Sequence, residues 1–272
     1  MGKQTLFVFQ ILPDSMMSDW VCGAREALRE IRWRDPDAEE GMKEILLHDT
    51  EYLVLSKEIL RDGLVIPVGS VEFCERWLHE WYGLKQIHPL NIPPQLLAPQ
   101  YAGRKVAYCS SSSEWEEILS GKAGFDPQHL FVKRADRAKA EPAFFFPEER
   151  GSVPFFGIPK GRCYLVSESL LDIKSEWRAF IWNGRILDIC CYSGDFWTFP
   201  DRKTVEGMVA AYTDDPPWAY TLDVAVLGDG RTVIMEVHNF IACGLYGFAD
   251  SRIPLMLAAG IRYKLQRMGE VR

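Results

Sequence analysis

Two apolar runs late in the chain each carry a single acid. Tyr220-Thr-Leu-Asp-Val-Ala-Val-Leu holds Asp223, and Val233-Ile-Met-Glu-Val-His-Asn holds Glu236. Gly228-Asp229-Gly230 joins them in a tight turn, which makes the runs neighbouring strands. An ionised carboxylate in an apolar strand is costly unless a cation pairs with it. Two on adjacent strands repel unless they share one. Magnesium is held by one or two carboxylates together with phosphates, so the pair suggests a magnesium site serving a nucleotide. Three cations are candidate partners. Lys133 ends the strand-like run His129-Leu-Phe-Val, Lys139 lies in the charged loop that follows, and Arg178 sits inside Trp177-Arg-Ala-Phe-Ile. An arginine in an apolar strand is either paired or holds a ligand.

Other elements must position these groups. Leu6–Leu12 reads as a strand, and Trp20 to about Arg32 as an amphipathic helix. Asp35–Glu40 reads as an acidic loop, and Leu53–Leu60 is ambiguous. A strand at residues 64–68 runs through Gly69-Ser70 into a helix at Val71–Trp81, an α/β pattern that leaves free N–H groups at the helix start. The proline-rich stretch 86–104 is the expected linker. A short helix at Glu114–Leu119 is expected to be capped by Ser112 or Ser113. Cys163–Glu168 is a further strand. Asn183-Gly184 marks a hairpin between Glu176–Trp182 and Arg185–Tyr192. Helices are expected at Thr204–Tyr212 and Pro254–Met268.

Composition narrows the class. The 272 residues are 47% hydrophobic and 25% charged, as in an ordinary globular protein with a sizeable core. A net charge of −7 argues against a nucleic-acid partner, which needs a basic face. No apolar run is long enough to span a membrane. Seven scattered cysteines lack zinc-ligand spacing and read as buried thiols in a reducing compartment, which points to the cytoplasm. The sequence does not fix an oligomeric state.

Taken in order, these features resemble the ATP-grasp superfamily, and most of all its bacterial and phage amidoligase branch. The carriers are Phe131-Val-Lys133, Glu176-Trp-Arg178, the Glu236 strand and Gly244-Leu-Tyr-Gly247; Val68-Gly-Ser-Val-Glu-Phe73 is similar to the preceding domain of that family. The resemblance covers roughly residues 64–250. It implies an N-terminal Rossmann-like α/β domain at residues 1–100, then an ATP-grasp fold of two α+β lobes at 101–272. The implied activity is ATP- and magnesium-dependent ligation of a carboxylate to an amine through an acylphosphate. The substrates implied are an amino acid, a peptide or a protein terminus. A non-catalytic ATP-binding module and a phosphotransferase for a non-carboxylate substrate are the alternatives.

The resemblance also assigns residues. Lys133 and Lys139 bind phosphates, and Arg178 contacts the γ-phosphate or acyl intermediate, unless it simply pairs with Glu176. Tyr164, Leu165 and Val166 form a hinge whose backbone meets adenine, with Glu168 on the nucleotide. The segment 140–161 closes over ATP. Asp223 and Glu236 hold magnesium. The common pattern places asparagine two residues after the glutamate, whereas this chain has His238 there and Asn239 one further on. Either the strand bulges to present Asn239 as the third ligand, or His238 acts elsewhere, toward the substrate. Tyr246 either contacts the substrate or packs in the core.

Overall fold

The structure is a computed structural model that describes residues 4–48, 63–137, 142–146, 158–170 and 172–270. The first layer is a parallel sheet of β1 (Thr5–Ile11), β2 (Met42–His48) and β3 (Leu64–Val68), in the order β2-β1-β3. Central β1 is covered on both faces, and Phe7, Val8 and Phe9 have no exposed surface. That burial explains its unbroken apolar run. Pro67 is tolerated because β3 is an edge strand. The edge is covered by Tyr82, the last residue of α3 (Val71–Tyr82), whose hydroxyl accepts from Val65 N and donates to Val65 O. α1 (Asp19–Arg34) supplies Val21, Ala24 and Leu28 to the same core.

Two elements here differ from the sequence reading. The acidic loop is a short helix, α2 (Pro36–Gly41), with Pro36 at its first position and the Asp35 side chain accepting from Asp37 N. Strand β2 had no clear signal of its own; it is half-buried and is defined by its ladder to β1. The ambiguous run 53–60 lies outside the described residues.

Two antiparallel four-stranded sheets follow. One has the order β4-β7-β5-β6, from β4 (Val106–Cys109), β5 (Leu130–Arg134), β6 (Phe144–Phe146) and β7 (Tyr164–Glu168). α5 (Ser112–Leu119) packs Trp115 and Ile118 onto its Val132 and Val166. Its cap is Ser111, one residue earlier than expected, because Ser111 and Glu114 complete a reciprocal capping box. The other sheet has the order β11-β10-β8-β9, from β8 (Ile173–Trp182), β9 (Arg185–Gly194), β10 (Ala219–Leu227) and β11 (Thr232–Asn239). Asn183 and Gly184 both have positive φ, 48° and 72°, as a tight hairpin turn requires.

The proline-rich stretch is a packed strap rather than a free linker. Ile92 and Leu96 have no exposed surface and join Trp177, Leu222 and Val237 in one core, with Met208 of α6 (Arg202–Ala211). Asn91 O accepts from Val237 N at 2.6 Å and so covers the free edge of β11. The opposite face of this sheet, through Phe180 and Ala219, joins the first core. So does α7 (Ile253–Glu270), whose Met256, Leu257 and Ile261 pack with Phe7, Leu28 and Val65. Residues after position 100 therefore complete a core begun before it.

Beyond β5, Arg134 Nε and Nη2 donate to Asp136 at 2.8 and 2.7 Å, and Cys163 N adds a third bond at 3.1 Å. The Arg134 bonds, partly opposed by burial and assisted by Cys163 N–H, hold the Asp136 carboxyl down at about 2. A carboxyl depressed on folding stabilises the native state above its unfolded pKa, roughly 3.9, and loses that contribution as pH falls toward the folded value. Asp136→Asn is expected to lower the melting temperature near pH 6. Thermal denaturation across the acid range should show that deficit shrinking between about pH 4 and pH 2.

Candidate active site

The ladder brings the acids together. Asp223 lies directly opposite Glu236 on β11 and directly opposite Arg178 on β8. Residues opposite one another point to the same face of a sheet. A bulge follows at once, since Val224 pairs with Ile234 and Met235 is the extra residue. The bulge lies before Glu236, so regular alternation continues to His238.

Arg178 is paired with Asp223, not with Glu176. Its Nε and Nη2 donate to the two carboxylate oxygens, both at 2.7 Å, and these side chains are only 7% and 5% exposed. Its Nη1 donates to Gly244 O at 3.1 Å, and its guanidinium lies 4.9 Å from the Tyr246 ring centroid. Tyr246 has φ +49° and stacks at 5.0 Å on Tyr192, whose hydroxyl donates to Glu176. Tyr246 is half-exposed, so it is not a core residue. Burial opposes charge on Arg178, but the Asp223 carboxylate overrides it and raises the guanidinium above its ordinary range.

Glu236 bonds two cations from different elements. Lys133 reaches it from β5 in the other four-stranded sheet, and His238 Nε2 reaches its second oxygen from two residues along β11. His238 Nε2 also lies 3.5 Å from Asp223 Oδ2. Burial opposes ionisation of Glu236, yet His238 and Lys133 hold its carboxyl well below the usual range. Burial likewise pulls the His238 imidazole down, but bonds to Asp223 and Glu236 push it up to about 9. The two acids are thus neutralised by Arg178, Lys133 and His238, whereas the sequence reading relied on a metal alone.

Asp223, Glu236 and His238 place one potential ligand atom each within 4.8 Å of one another. The two carboxylates fit magnesium, while the imidazole is a ligand magnesium does not favour. The expected third ligand, Asn239, is not in this cluster. Alternation turns it away from Glu236 and His238, and its Nδ2 donates to His88 O at 2.8 Å. Its Oδ1 is buried without a partner.

Two cavities meet here, sharing Lys133, Ala143 and Glu236. One, of about 390 Å³, has Phe131, Phe145, Leu165 and Met235 in its lining together with Arg104, Lys133 and Glu236. The other, of about 450 Å³, is lined by Val71 at the start of α3, Asn91, Arg137, Asn239 and Tyr246. The hinge reading needs correction. β7 is hydrogen-bonded to β4 on one side and β5 on the other, so Tyr164, Leu165 and Val166 have no free backbone edge for adenine. Leu165 reaches the first cavity through its side chain. Glu168 lines that cavity too, while its carboxylate accepts from Lys105 N and Asp126 N. Lys139 and most of the segment 140–161 lie outside the described residues.

Sequence reasoning missed Arg104, Arg137 and Tyr192. Arg104 donates to Ala102 O and Ile234 O and has no carboxylate partner among the described residues. Burial lowers its pKa to about 10. The basic pair Arg104-Lys105 was the only available signal.

Residues 101–254 match a family model that describes an ATP-grasp domain, the second family of its clade. The chain belongs to this ATP-grasp family. ATP-grasp enzymes are ATP-dependent C–N ligases and use ATP with Mg2+. Solved structures share the fold of this ATP-grasp chain. D-cycloserine synthetase superposes with a TM-score of 0.56 at 11% identity, covering 96% of this chain and 99% of the other. D-alanine–D-alanine ligase from Bacillus anthracis, complexed with ATP, gives 0.54 at 12% identity, with 98% and 100% covered. No curated protein sequence matches the chain. No helix among the described residues is long and apolar enough to cross a membrane.

Breaking a buried ion pair by removing one partner costs about 3–5 kcal/mol, because the other charge is stranded. Arg178→Ala and Asp223→Ala are each expected to lose stability on that scale. The double variant should lose clearly less than the sum, as read by urea denaturation in a double-mutant cycle. Asp223→Asn is therefore a stability variant as well as a site variant.

Proposed function

We propose that this chain is an ATP- and magnesium-dependent carboxylate–amine ligase whose substrates are small molecules or peptides. A substrate carboxylate takes the γ-phosphoryl group of ATP, and the amine then displaces phosphate to leave an amide. The observation that carries this reading is the Lys133–Glu236 contact between the two four-stranded sheets, beside the Asp223–Arg178 pair. Phosphoryl transfer depends on positioning and charge neutralisation more than on covalent chemistry by the protein. Here cations and carboxylates converge where phosphates would lie.

In this reading the nucleotide occupies the cavity between the sheets. Phe131, Phe145, Leu165 and Met235 give a base an apolar slot, and Arg104 and Lys133 face its phosphates. Lys133 exchanges Glu236 for phosphate oxygens, which frees that carboxylate for metal. Asp223 and Glu236 hold magnesium, which when bound neutralises the phosphates. Arg178, fixed by Asp223, Gly244 O and Tyr246, is oriented toward the junction of the two cavities. Lys139 remains a candidate phosphate ligand and the segment 140–161 a candidate cover.

The second cavity then takes the carboxylate and amine substrates. Arg137 is exposed there, with no partner among the described residues, and the first N–H groups of α3 open nearby at Val71. Both favour an anionic group. The unpartnered Asn239 Oδ1 favours a donor such as an amine. We assign the N-terminal parallel sheet and its helices, about residues 1–100, as a Rossmann-like domain on the substrate side, and 101–272 as the ATP-grasp lobes.

Isothermal titration with a non-hydrolysable ATP analogue tests the reading. Binding by the wild type should require magnesium. Lys133→Ala should weaken it by at least about tenfold, the loss of one charge-assisted phosphate contact. Acid–amine pairs should then be screened for an amide with release of ADP and phosphate. Binding without ADP formation favours the ATP-binding module, a phosphorylated product favours the phosphotransferase, and no binding sinks the reading.

A further inference from the structure

We propose that His238 is itself a metal ligand, through Nε2, and that the nucleotide-bound site therefore prefers a first-row transition ion, manganese above all, to magnesium. The inference rests on the nucleotide reading above and names the metal chemistry of that same site.

Four observations carry it. First, the bulge in β11 falls at Met235, so the strand is regular from Glu236 to His238 and both side chains face Asp223. Second, Nε2 is the imidazole atom turned to the acids, bonded to Glu236 Oε1 and 3.5 Å from Asp223 Oδ2. It occupies the angle between the two carboxylates, where a shared cation would meet both. Third, Asn239 is excluded, since its amide is spent on His88 O on the other face of the strand. Fourth, Thr221 lies opposite His238 in the ladder, fully buried, and its hydroxyl has no hydrogen-bond partner. That hydroxyl stands on the imidazole's own face and is available to its second ring nitrogen. A metal-bound histidine ordinarily has such a partner.

The donor set is then two carboxylates and one imidazole, completed by phosphate oxygens of the nucleotide. Magnesium demands a near-ideal octahedron of oxygens. Exchanging one oxygen for an imidazole nitrogen favours first-row ions, whose affinity for nitrogen rises along the Irving–Williams series. Manganese keeps the preference for carboxylate and phosphate oxygen that the rest of the set requires. The cations already present explain why metal enters with the nucleotide. Arg178, Lys133 and His238 neutralise both acids until phosphates draw Lys133 away.

The test uses the whole protein with Mn2+ and the β,γ-methylene analogue of ATP. Pulsed electron paramagnetic resonance reads nitrogen coupled to the manganese. Wild type prepared with 14N-histidine and with 15N-histidine should differ in that modulation, which needs no mutation and hence no assumption about folding. His238→Asn, checked for its fold by circular dichroism, should abolish the difference. It should also reduce the preference for Mn2+ over Mg2+ in analogue binding by about tenfold. A bound manganese–analogue complex without histidine-nitrogen modulation overturns the inference and leaves the nucleotide reading intact. An unchanged Mn2+/Mg2+ ratio in His238→Asn does the same. Failure of the analogue to bind with either ion overturns both.

Discussion

Two carboxylates facing each other across one ladder step are the constraint around which this site is arranged. Asp223 and Glu236 share a face of the sheet, so each needs a cation close by. Each draws one from a different direction. Asp223 takes Arg178 from the next strand, and Glu236 takes Lys133 from the other sheet. His238 lies between the acids and bonds both. The charges form an alternating chain, Lys133–Glu236–His238–Asp223–Arg178, in which every member but the two at the ends has two partners. Such a network is costly to leave half-satisfied, which explains the further fixing of Arg178 by Gly244 O and the Tyr246 ring.

The chain also joins parts of the fold that are otherwise separate. Lys133 and Glu236 are 103 residues apart, and the nucleotide-sized cavity lies between their two sheets. The contact that now bridges the sheets is the one that phosphates are proposed to replace. Arg178, by contrast, is held within one sheet by bonds that leave it no freedom to follow a ligand. One cation is placed to exchange partners and the other to stay.

Much of this was legible because it is local. Asn183-Gly184 specifies a turn with two positive φ values, and the apolar alternation around it specifies the hairpin. The acids at 223 and 236 were visible as charges in apolar runs, with the turn that pairs them. What escaped depends on distant partners. β2 is a strand because β1 offers a ladder, and residues 86–104 are packed because β11 and the second core accept them. The fate of His238 and Asn239 turned on where the bulge fell, and a bulge at Met235 has no glycine to announce it. Arg104 and Arg137 acquire meaning only from the cavities they line. A hinge role for 164–166 followed from the resemblance, but a strand paired on both edges has no backbone groups left to offer.

The packing of α7 has a consequence for how the protein is made. Met256, Leu257 and Ile261 fill the core laid down by Phe7, Leu28 and Val65. During synthesis the parallel sheet leaves the ribosome with that face bare, and its cover is still some two hundred residues away in the sequence. Domains usually fold in order as they emerge, and exposed apolar surface invites aggregation or chaperone capture. Here the first layer to be synthesised is among the last to be finished, so its nascent form is a natural chaperone client.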